Sequence, residues 1–369
     1  MSQRLCLLTV KIKLKNLELS KYIKTILKFL LFAGVGIGIL YFVYQRQSNA
    51  YHQECILKGI SEQDCSLVAK VYEDFINSNI FYLFMVIFLF TLSNISRTLR
   101  WQMMLKPIGI KAGFFSSFNS IMLGYFANLG LPRVGEFVRA GALAKKENVK
   151  FDKVMGTIVL DRIIDVISLL IVFVITILIS SGKLLNFIKD NGDLSNKIIN
   201  IVNNPVYWFV FVILFVGGFF ISKSNKVKNS FIGKKVLNFI QGLITGIKSI
   251  KSIEKPYLFI FHSVFIWTMY FMMNYVGFLA FEPTSKLGID AAIVVFTFGS
   301  LGMVIPSPGG MGTYHFLVIE ALSLFGISGS DGFSYANIIF FSIQIFGIIF
   351  FGIIALIMLN TLKNKKNVV

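Results

Sequence analysis

Charged side chains are scarce in this sequence. Asp, Glu, Lys and Arg together make up 15% of its 369 residues, whereas soluble domains carry about 25%. Apolar residues reach 55%, aromatic residues 15%, and the mean hydropathy is +0.73. So little charge excludes a water-soluble globular protein. It predicts instead an all-α, polytopic integral membrane protein, because helices satisfy their own backbone hydrogen bonds within a bilayer.

Acidic residues are the scarcer charged class, with 18 against 36 basic ones and a net charge of +18. A basic excess of this size could indicate nucleic-acid binding. The basic residues, however, lie between hydrophobic stretches and do not form one folded module. Cationic loops between apolar spans are the pattern of the positive-inside rule. We therefore expect no nucleic-acid partner.

Histidine and cysteine occur three times each, too few and too scattered for a metal centre. His52, His262 and His315 are isolated from one another and from cysteine, so no metal is predicted. Phosphate-binding and dinucleotide loops and Ser/His/Asp arrangements are also lacking in plausible context, which predicts no cofactor and no catalytic residue. Cys55 and Cys65 share one loop, where a disulfide and two free thiols are equally compatible with the sequence.

Long hydrophobic runs are abundant, and about 20 apolar residues are needed to cross a bilayer. The sequence predicts a basic segment at 1–25, a transmembrane domain at 26–360 and a basic tail at 361–369. Six stretches are predicted to cross the membrane fully: 26–44, 79–95, 154–181, 205–222, 257–281 and 336–360.

Two further apolar regions, 114–144 and 289–326, are interrupted by proline and glycine. We interpret them as re-entrant hairpins that enter from opposite sides. Pro132 and Gly135 in the first correspond to Pro306 and Gly309 in the second at one offset of 174 residues. Such weak internal symmetry is typical of inverted-repeat transporters, whose broken helices meet near the midplane. Two unrelated proline kinks are the alternative.

Loop charge favours this threading of the chain. With both termini in the cytoplasm, the inner segments carry 28 Lys and Arg and the outer segments 7. A full crossing at 114–131 would place the lysines of 145–153 outside, against the positive-inside rule. The sequence therefore predicts a multi-pass protein of the plasma membrane with cytoplasmic N- and C-termini.

Charged residues within the predicted membrane region are the candidate site. An ionised side chain at the bilayer centre costs at least about 2.5–3.5 kcal/mol unless it is paired or hydrated. Three arginines and three carboxylates could neutralise one another as a structural network, or form a site for a charged headgroup. They are Arg133, Glu136, Arg139, Asp161, Arg162 and Asp165.

Other candidates surround this group. Ser307, Gly309 and Gly310 lie where the second hairpin breaks, so that a helix N-terminus could receive an anion. Glu320 is interpreted either as a proton relay or as a residue of the outer mouth. Arg97 and Arg100, at the inner end of a span, are predicted to anchor that end to lipid phosphates, or to meet a headgroup entering from the cytoplasmic leaflet.

Together these segments resemble the lysylphosphatidylglycerol synthase transmembrane-region family, also called flippase-like domain proteins. The resemblance rests on Arg100-Trp101, LPRVGEFVRA at 131–140, Asp161-Arg162 with Asp165, and PSPGGMGTYH at 306–315. It implies translocation of a phosphate-bearing membrane lipid that a separate enzyme synthesises. The family's soluble synthase domain is not found here, so synthase activity is not implied. The family's Gly-x-x-Glu continuation is altered at 312–315.

The sequence thus predicts a lipid flippase or transporter that moves an anionic or zwitterionic phospholipid, or a polyprenyl-phosphate-linked lipid, between leaflets. It is not expected to be an enzyme. A membrane-embedded lipid-modifying transferase, with Glu136 and Asp165 as bases, is one alternative. An accessory subunit of a cell-envelope lipid pathway is another. No motif in the sequence specifies the lipid, the energy source or the oligomeric state.

Overall fold

The computed structural model describes residues 30–31, 34–61, 65–131, 133–190 and 253–364 of the chain. Helices account for nearly all of this part, and no strand occurs in it. Four helical segments are long and apolar enough to cross a membrane: Ile80–Ile108, Phe151–Gly182, Pro256–Ala280 and Gly329–Leu359. They correspond to four of the six predicted spans and confirm an all-α membrane protein.

The helices follow in chain order, with α1 covering residues 34–58. The others are α2 (Leu67–Asn77), α3 (Ile80–Leu105), α4 (Phe114–Gly130), α5 (Gly135–Glu147), α6 (Phe151–Asp190), α7 (Pro256–Ala280), α8 (Ile289–Val304), α9 (Thr313–Ser323), α10 (Gly329–Phe340) and α11 (Phe350–Asn364). A π-helical segment, Phe341–Ile349, joins α10 and α11 into one continuous rod.

The two remaining predicted spans fare differently. The stretch 205–222 lies outside the described residues. The predicted span 26–44 is described only in part, and from residue 34 the helix continues to 58, beyond the predicted end of the span. The stretch before the next predicted span contains the end of α1, a disulfide between Cys55 and Cys65, and α2.

Both interrupted regions form pairs of packed helices, α4 with α5 and α8 with α9. Each pair crosses closely at glycine. A Cβ atom on Gly135 would lie 2.0 Å from the carbonyl oxygen of Gly124, and one on Gly302 would lie 2.8 Å from that of Thr313. Side chains at these glycines would push the arms apart. The helical pairs are therefore confirmed, while their re-entry into the membrane stays a prediction.

Three clusters of buried apolar residues occur among the described residues, and each of the two larger ones lies beside one helical pair. Trp101, Ile121 and Leu143 belong to the first core, shared by α3–α7 and α11. The second core, shared by α7–α10, contains Phe278 and Val295. Ile343 in the π-helical segment packs against both cores. The rod of α10 and α11 thus joins the two halves, and the space between the halves is where the candidate site lies.

The outward face of α6 is apolar and open. Leu170, Ile171, Leu178 and Ile179 are between 54% and 73% exposed, and this helix is the least buried of the four candidate spans. Such a surface is stable only in contact with lipid or another apolar surface. The exposure agrees with the membrane location.

An ion network fixes α2 to the start of α10. Lys70 donates to Asp74 and to Asp331, both at 2.8 Å, and its side chain is 19% exposed. Burial alone would lower the pKa of Lys70, but the hydrogen bonds to Asp331 and Asp74 outweigh burial and raise the pKa. The ammonium form therefore stabilises this corner of the fold.

Replacing Lys70 by Met keeps the apolar stem and removes the charge. We expect Lys70→Met to lower the free energy of unfolding by about 1–2 kcal/mol. Because the folded pKa is raised, the difference from wild type should hold below the ordinary pKa of 10.5 and shrink as pH rises further. Thermal unfolding of both proteins between pH 7 and 11 would measure it. A difference that grows above pH 10.5 would contradict this assignment.

The disulfide closes the connection between α1 and α2, and Cys55 and Cys65 are both buried. A cross-link over a loop of this length is worth about 2–3 kcal/mol in the chain-entropy description. We expect Cys55→Ser with Cys65→Ser to lower the melting temperature, and added reductant to have no further effect on that variant. If wild type in reductant melted at its oxidised temperature, the cross-link would be irrelevant to stability.

Candidate functional site

Two carboxylates on α6 form the centre of a buried ion cluster. Asp161 and Asp165 lie one turn apart and therefore share a face of the helix. Asp161 accepts hydrogen bonds from Arg97 at 3.3 Å, from Arg100 at 2.5 Å and from Arg139 at 2.9 Å. Asp165 accepts from Arg97 and Arg100, each at 2.7 Å. The Asp161 side chain is fully buried and that of Asp165 is 13% exposed.

Arg97 and Arg100 reach this cluster from α3 because a spacing of three residues places them on one helical face. Each also bonds to α7: Arg97 donates to the Tyr270 hydroxyl and Arg100 to the Ser263 hydroxyl, both at 3.3 Å. Their side chains are 4% and 0% exposed. The prediction that they anchor the helix end to lipid phosphates at the rim is therefore wrong. They cross-link α3, α6 and α7 inside the bundle.

Arg139, on α5, is also held inside the protein. Its guanidinium lies 3.9 Å from the ring centroid of Trp101 and donates to Asp161. Trp101 is fixed in turn by donating to the hydroxyl of Thr157 at 2.9 Å. A cation over an aromatic face is favourable, more so when desolvated. Arg139 therefore joins α5 to α3 and α6, and its guanidinium is not among the groups that line the adjoining cavity.

The charge balance of the cluster differs from the sequence prediction. Three arginines against three carboxylates implied a neutral group, but Arg97 and Arg100 bring the arginines to five. Arg162 pairs with Glu136 at 2.9 Å and lies 3.9 Å from Asp165. Arg133 makes no ion pair among the described residues, so the paired cluster has four arginines and three carboxylates and a net charge of +1. Arg133 lines the adjoining cavity and raises the excess of positive charge there to +2.

Several guanidinium N–H groups in the cluster also have no acceptor in the part of the chain that the structure describes. They are Nε of Arg97 and Arg100, and Nε and Nη2 of Arg139. A buried polar group without a partner costs about 1–3 kcal/mol, and more when charged. The cluster therefore has more donors and more positive charge than its own carboxylates can match. Both properties favour an anion nearby.

A cavity of about 490 Å³ lies between the two helical pairs, beside this cluster. The tips of the pairs meet there, since a Cβ atom on Gly309 would lie 3.1 Å from Cδ2 of Leu129 at the end of α4. Eight of the twelve predicted site residues line it: Arg97, Arg133, Glu136, Arg162, Asp165, Ser307, Gly309 and Gly310. The structure thus brings together residues that lie up to 213 positions apart in the sequence, from Arg97 to Gly310.

Apolar side chains form one rim of the cavity. Val166 on α6 and Met303, Val304 and Ile305 at the break of the second pair all line it. They are 41%, 43%, 56% and 44% exposed. A charged wall on one side and an exposed apolar rim on the other make the cavity amphipathic. Its chemistry matches that of a lipid, with a polar headgroup and hydrocarbon chains.

The other four predicted residues are not on the cavity wall. Arg100, Arg139 and Asp161 lie behind it as the supporting layer of the ion cluster. Glu320, which the sequence suggested as a proton relay or a residue of the outer mouth, accepts a hydrogen bond from Arg46 of α1 at 2.6 Å. No three His, Cys, Asp or Glu side chains among the described residues are placed to bind a metal ion.

Sequence reasoning missed the uncharged polar residues of the cavity. They are Tyr125, Asn128, Trp267, Tyr270, Asn274, Ser300, Tyr314 and Gln344. A signal existed for α7, where Trp267, Tyr270 and Asn274 recur at helical spacing within an otherwise apolar span. Gln344 lies in the π-helical segment, and irregular turns of this type are frequent at functional sites.

The helical architecture and its apolar spans define a polytopic membrane protein, which holds a buried ion cluster beside an amphipathic cavity. The family model for the lysylphosphatidylglycerol synthase transmembrane region matches residues 66–365. The chain belongs to this family, as the resemblance in its motifs predicted.

Two archaeal relatives from Methanocaldococcus jannaschii are similar to the chain. UPF0104 membrane protein MJ1078 is 28% identical over 250 residues, which cover 65% of this chain and 99% of that protein. UPF0104 membrane protein MJ1595 is 29% identical over 99 residues, which cover 26% of this chain and 30% of that protein. No solved structure matches the chain.

Asp161 accepts from three arginines, so its loss leaves three buried cations short of an acceptor. Breaking a buried pair from one side costs about 3–5 kcal/mol. We expect Asp161→Asn to reduce the yield of folded protein and to lower its melting temperature strongly. Asp152→Asn, an exposed change on the same helix, is the control and should be silent. Equal melting of the two variants would show that the cluster does not stabilise the fold.

Proposed function

We propose that this protein moves a membrane lipid with a phosphate-bearing headgroup from one leaflet to the other, and that the cavity between the helical pairs is its binding site. The observation that carries the proposal is the excess positive charge of +2, from the ion cluster together with Arg133, placed against a cavity with an apolar, exposed rim. An anionic headgroup would supply the charge and the acceptors that the cluster lacks.

Arg97, Arg133 and Arg162 are the cationic groups of the cavity wall. Guanidinium groups bind phosphate through two parallel hydrogen bonds, which gives geometric specificity as well as attraction. Glu136 and Asp165 are already paired with arginine. Their role in the proposal is to hold the arginines in place, so that binding needs little rearrangement.

The hydrocarbon chains of the lipid would leave the cavity across the rim of Val166, Met303, Val304 and Ile305. This rim is exposed, so the chains can stay in the bilayer while the headgroup enters the protein. A headgroup crossing the hydrocarbon core unaided would have to be desolvated. The arginine wall offers it polar partners on the way, and that is how such a cavity would accelerate lipid movement.

The proposal includes an orientation in the plasma membrane. Loop charge favours cytoplasmic termini, and the disulfide between Cys55 and Cys65 favours an oxidising, outer location for the loop that holds it. With this orientation the first helical pair re-enters from the cytoplasm and the second from outside. Their tips, in contact at Leu129 and Gly309, would separate the two sides.

The carboxylates of the cavity support a transporter over a lipid-modifying transferase. A transferase needs a carboxylate that is free to accept a proton. Glu136 and Asp165, the two carboxylates among the described residues of the cavity wall, both form ion pairs with arginine, so neither is free for that role. We therefore infer that the protein is not an enzyme.

Arg133 offers a clean test, because it has a backbone φ of 64°, in the left-handed region that glycine adopts without strain. Arg133→Gly should leave folding intact while it removes a cation from the cavity. We expect it to lower the rate of fluorescent phosphatidylglycerol movement in proteoliposomes at least about tenfold, the effect of losing one charge-assisted contact. Arg133→Lys should retain part of the rate.

A matched control is Asn148→Gly. Asn148 is the other non-glycine residue with positive φ among the described residues, at 54°, and it lies at the end of α5 away from the cavity. Asn148→Gly also replaces a side chain at positive φ by glycine, and this variant should move lipid at the wild-type rate. If Arg133→Gly moved lipid at the wild-type rate, the cavity would not be the lipid-binding site. No movement of any anionic lipid by folded wild type would overturn transport itself.

A further inference from the structure

Helix α7 contributes an uncharged strip to the cavity, opposite in character to the arginine wall. Trp267, Tyr270 and Asn274 all line the cavity, and their spacing of three and four residues places them on one face. At 1.5 Å per residue, Trp267 and Asn274 lie about 10 Å apart along the helix axis. Tyr270, between them, accepts a hydrogen bond from Arg97. The strip is therefore continuous with the charged end of the cavity.

Trp267 presents a donor without an acceptor. Its indole ring is held edge-to-face against Phe296 at 5.8 Å and against Tyr270 at 6.3 Å. The buried Nε1–H has no partner within the described part of the chain. A buried tryptophan N–H usually has a hydrogen-bond partner. Packing holds the Trp267 ring in place, but its N–H group has no hydrogen-bond acceptor among the described residues.

Asn274 presents the complementary group. Its Nδ2 donates to the carbonyl oxygen of Tyr270 at 3.0 Å. Since a carbonyl oxygen can only accept, this bond fixes which end of the amide is the NH2 group. The remaining atom, Oδ1, is buried and has no donor among the described residues. Asn274 therefore offers an acceptor.

A donor and an acceptor on one strip are matched best by hydroxyl groups. A phosphate oxygen accepts and could satisfy Trp267 but not Asn274, while an ammonium donates and could satisfy only Asn274. A hydroxyl both donates and accepts. A zwitterionic headgroup would bring both an acceptor and an ammonium donor. The only carboxylates among the described residues that line the cavity are Glu136 and Asp165, both already paired with arginine, so its ammonium group would meet no free anion there.

We propose that Trp267 and Asn274 form a second subsite, which binds the hydroxyl groups of a polyhydroxylated headgroup while the arginines bind its phosphate. This inference rests on the proposed lipid-binding function and deepens it. It assigns the ligand as an anionic lipid in which the phosphate carries a neutral, hydroxylated substituent such as glycerol or a hexose. Headgroups ending in an amine, and phosphate without a substituent, are discriminated against.

Binding, measured apart from transport, tests the subsite. Isothermal titration in detergent micelles would compare dioctanoyl phosphatidylglycerol, a short-chain prenyl phosphohexose, dioctanoyl phosphatidic acid and dioctanoyl phosphatidylethanolamine. We expect wild type to bind one or both hydroxylated lipids at least about fivefold more tightly than phosphatidic acid, the factor for one ordinary hydrogen bond. The two hydroxylated ligands distinguish a glycerol from a sugar substituent.

Two variants locate the effect. Trp267→Phe removes the N–H and keeps an aromatic ring, and Asn274→Leu removes the acceptor. Each should reduce the affinity for the hydroxylated lipid toward that for phosphatidic acid, which itself should not change. Tyr257→Phe, which removes a hydroxyl from the exposed start of the same helix, is the control and should bind as wild type does.

The outcomes separate the two proposals. Equal wild-type affinity for hydroxylated and unsubstituted phosphate lipids would overturn the subsite, even if lipid movement in proteoliposomes is robust. If both variants lost affinity for all four lipids equally, the subsite would also be overturned, because such a loss indicates that Trp267 and Asn274 have a structural role. Selective binding with no lipid movement would leave the subsite standing and refute transport.

Discussion

Two carboxylates in the interior of the bundle, both on α6, determine how the helices around them are arranged. Asp161 and Asp165 lie in the interior, where an unpaired charge is very unfavourable, so cations from other helices must come to them. Arg97 and Arg100 arrive from α3 and Arg139 from α5, while Tyr270 and Ser263 tie the arginines to α7. The cavity exists where this polar interior meets the second helical pair.

The ion network links several helices, but its positive charge is not balanced by its own carboxylates. Its arginines outnumber its carboxylates, and several of their N–H groups lack acceptors within the described residues. A purely structural network of this kind would be expected to neutralise itself, as the sequence alone had implied. The surplus therefore separates the two readings that the sequence leaves open, and it favours a protein that binds an anion.

Much of the architecture could be predicted from the sequence, because apolar runs of bilayer length and proline-glycine breaks are local signals. Eight of twelve candidate residues line one cavity for the same reason: ionisable groups in apolar segments are conspicuous. The partners of those groups could not be predicted. Whether Arg97 points to a lipid headgroup or to Asp165 depends on how α3 rotates against α6, and no local pattern encodes that rotation. Neutral residues such as Asn274 carry still weaker signals.

The π-helical segment Phe341–Ile349 determines which side chains of the rod face each of the two cores. In a π-helix the backbone hydrogen bonds join residues five apart, and in an α-helix four apart. The π segment therefore changes the direction in which the side chains of α11 point relative to those of α10. Ile338 and Ile339 face the core of the second half, whereas Ile348 and Ala355 face the core of the first. The change of winding within a single rod thus lets the same rod contribute side chains to two cores that lie in different directions.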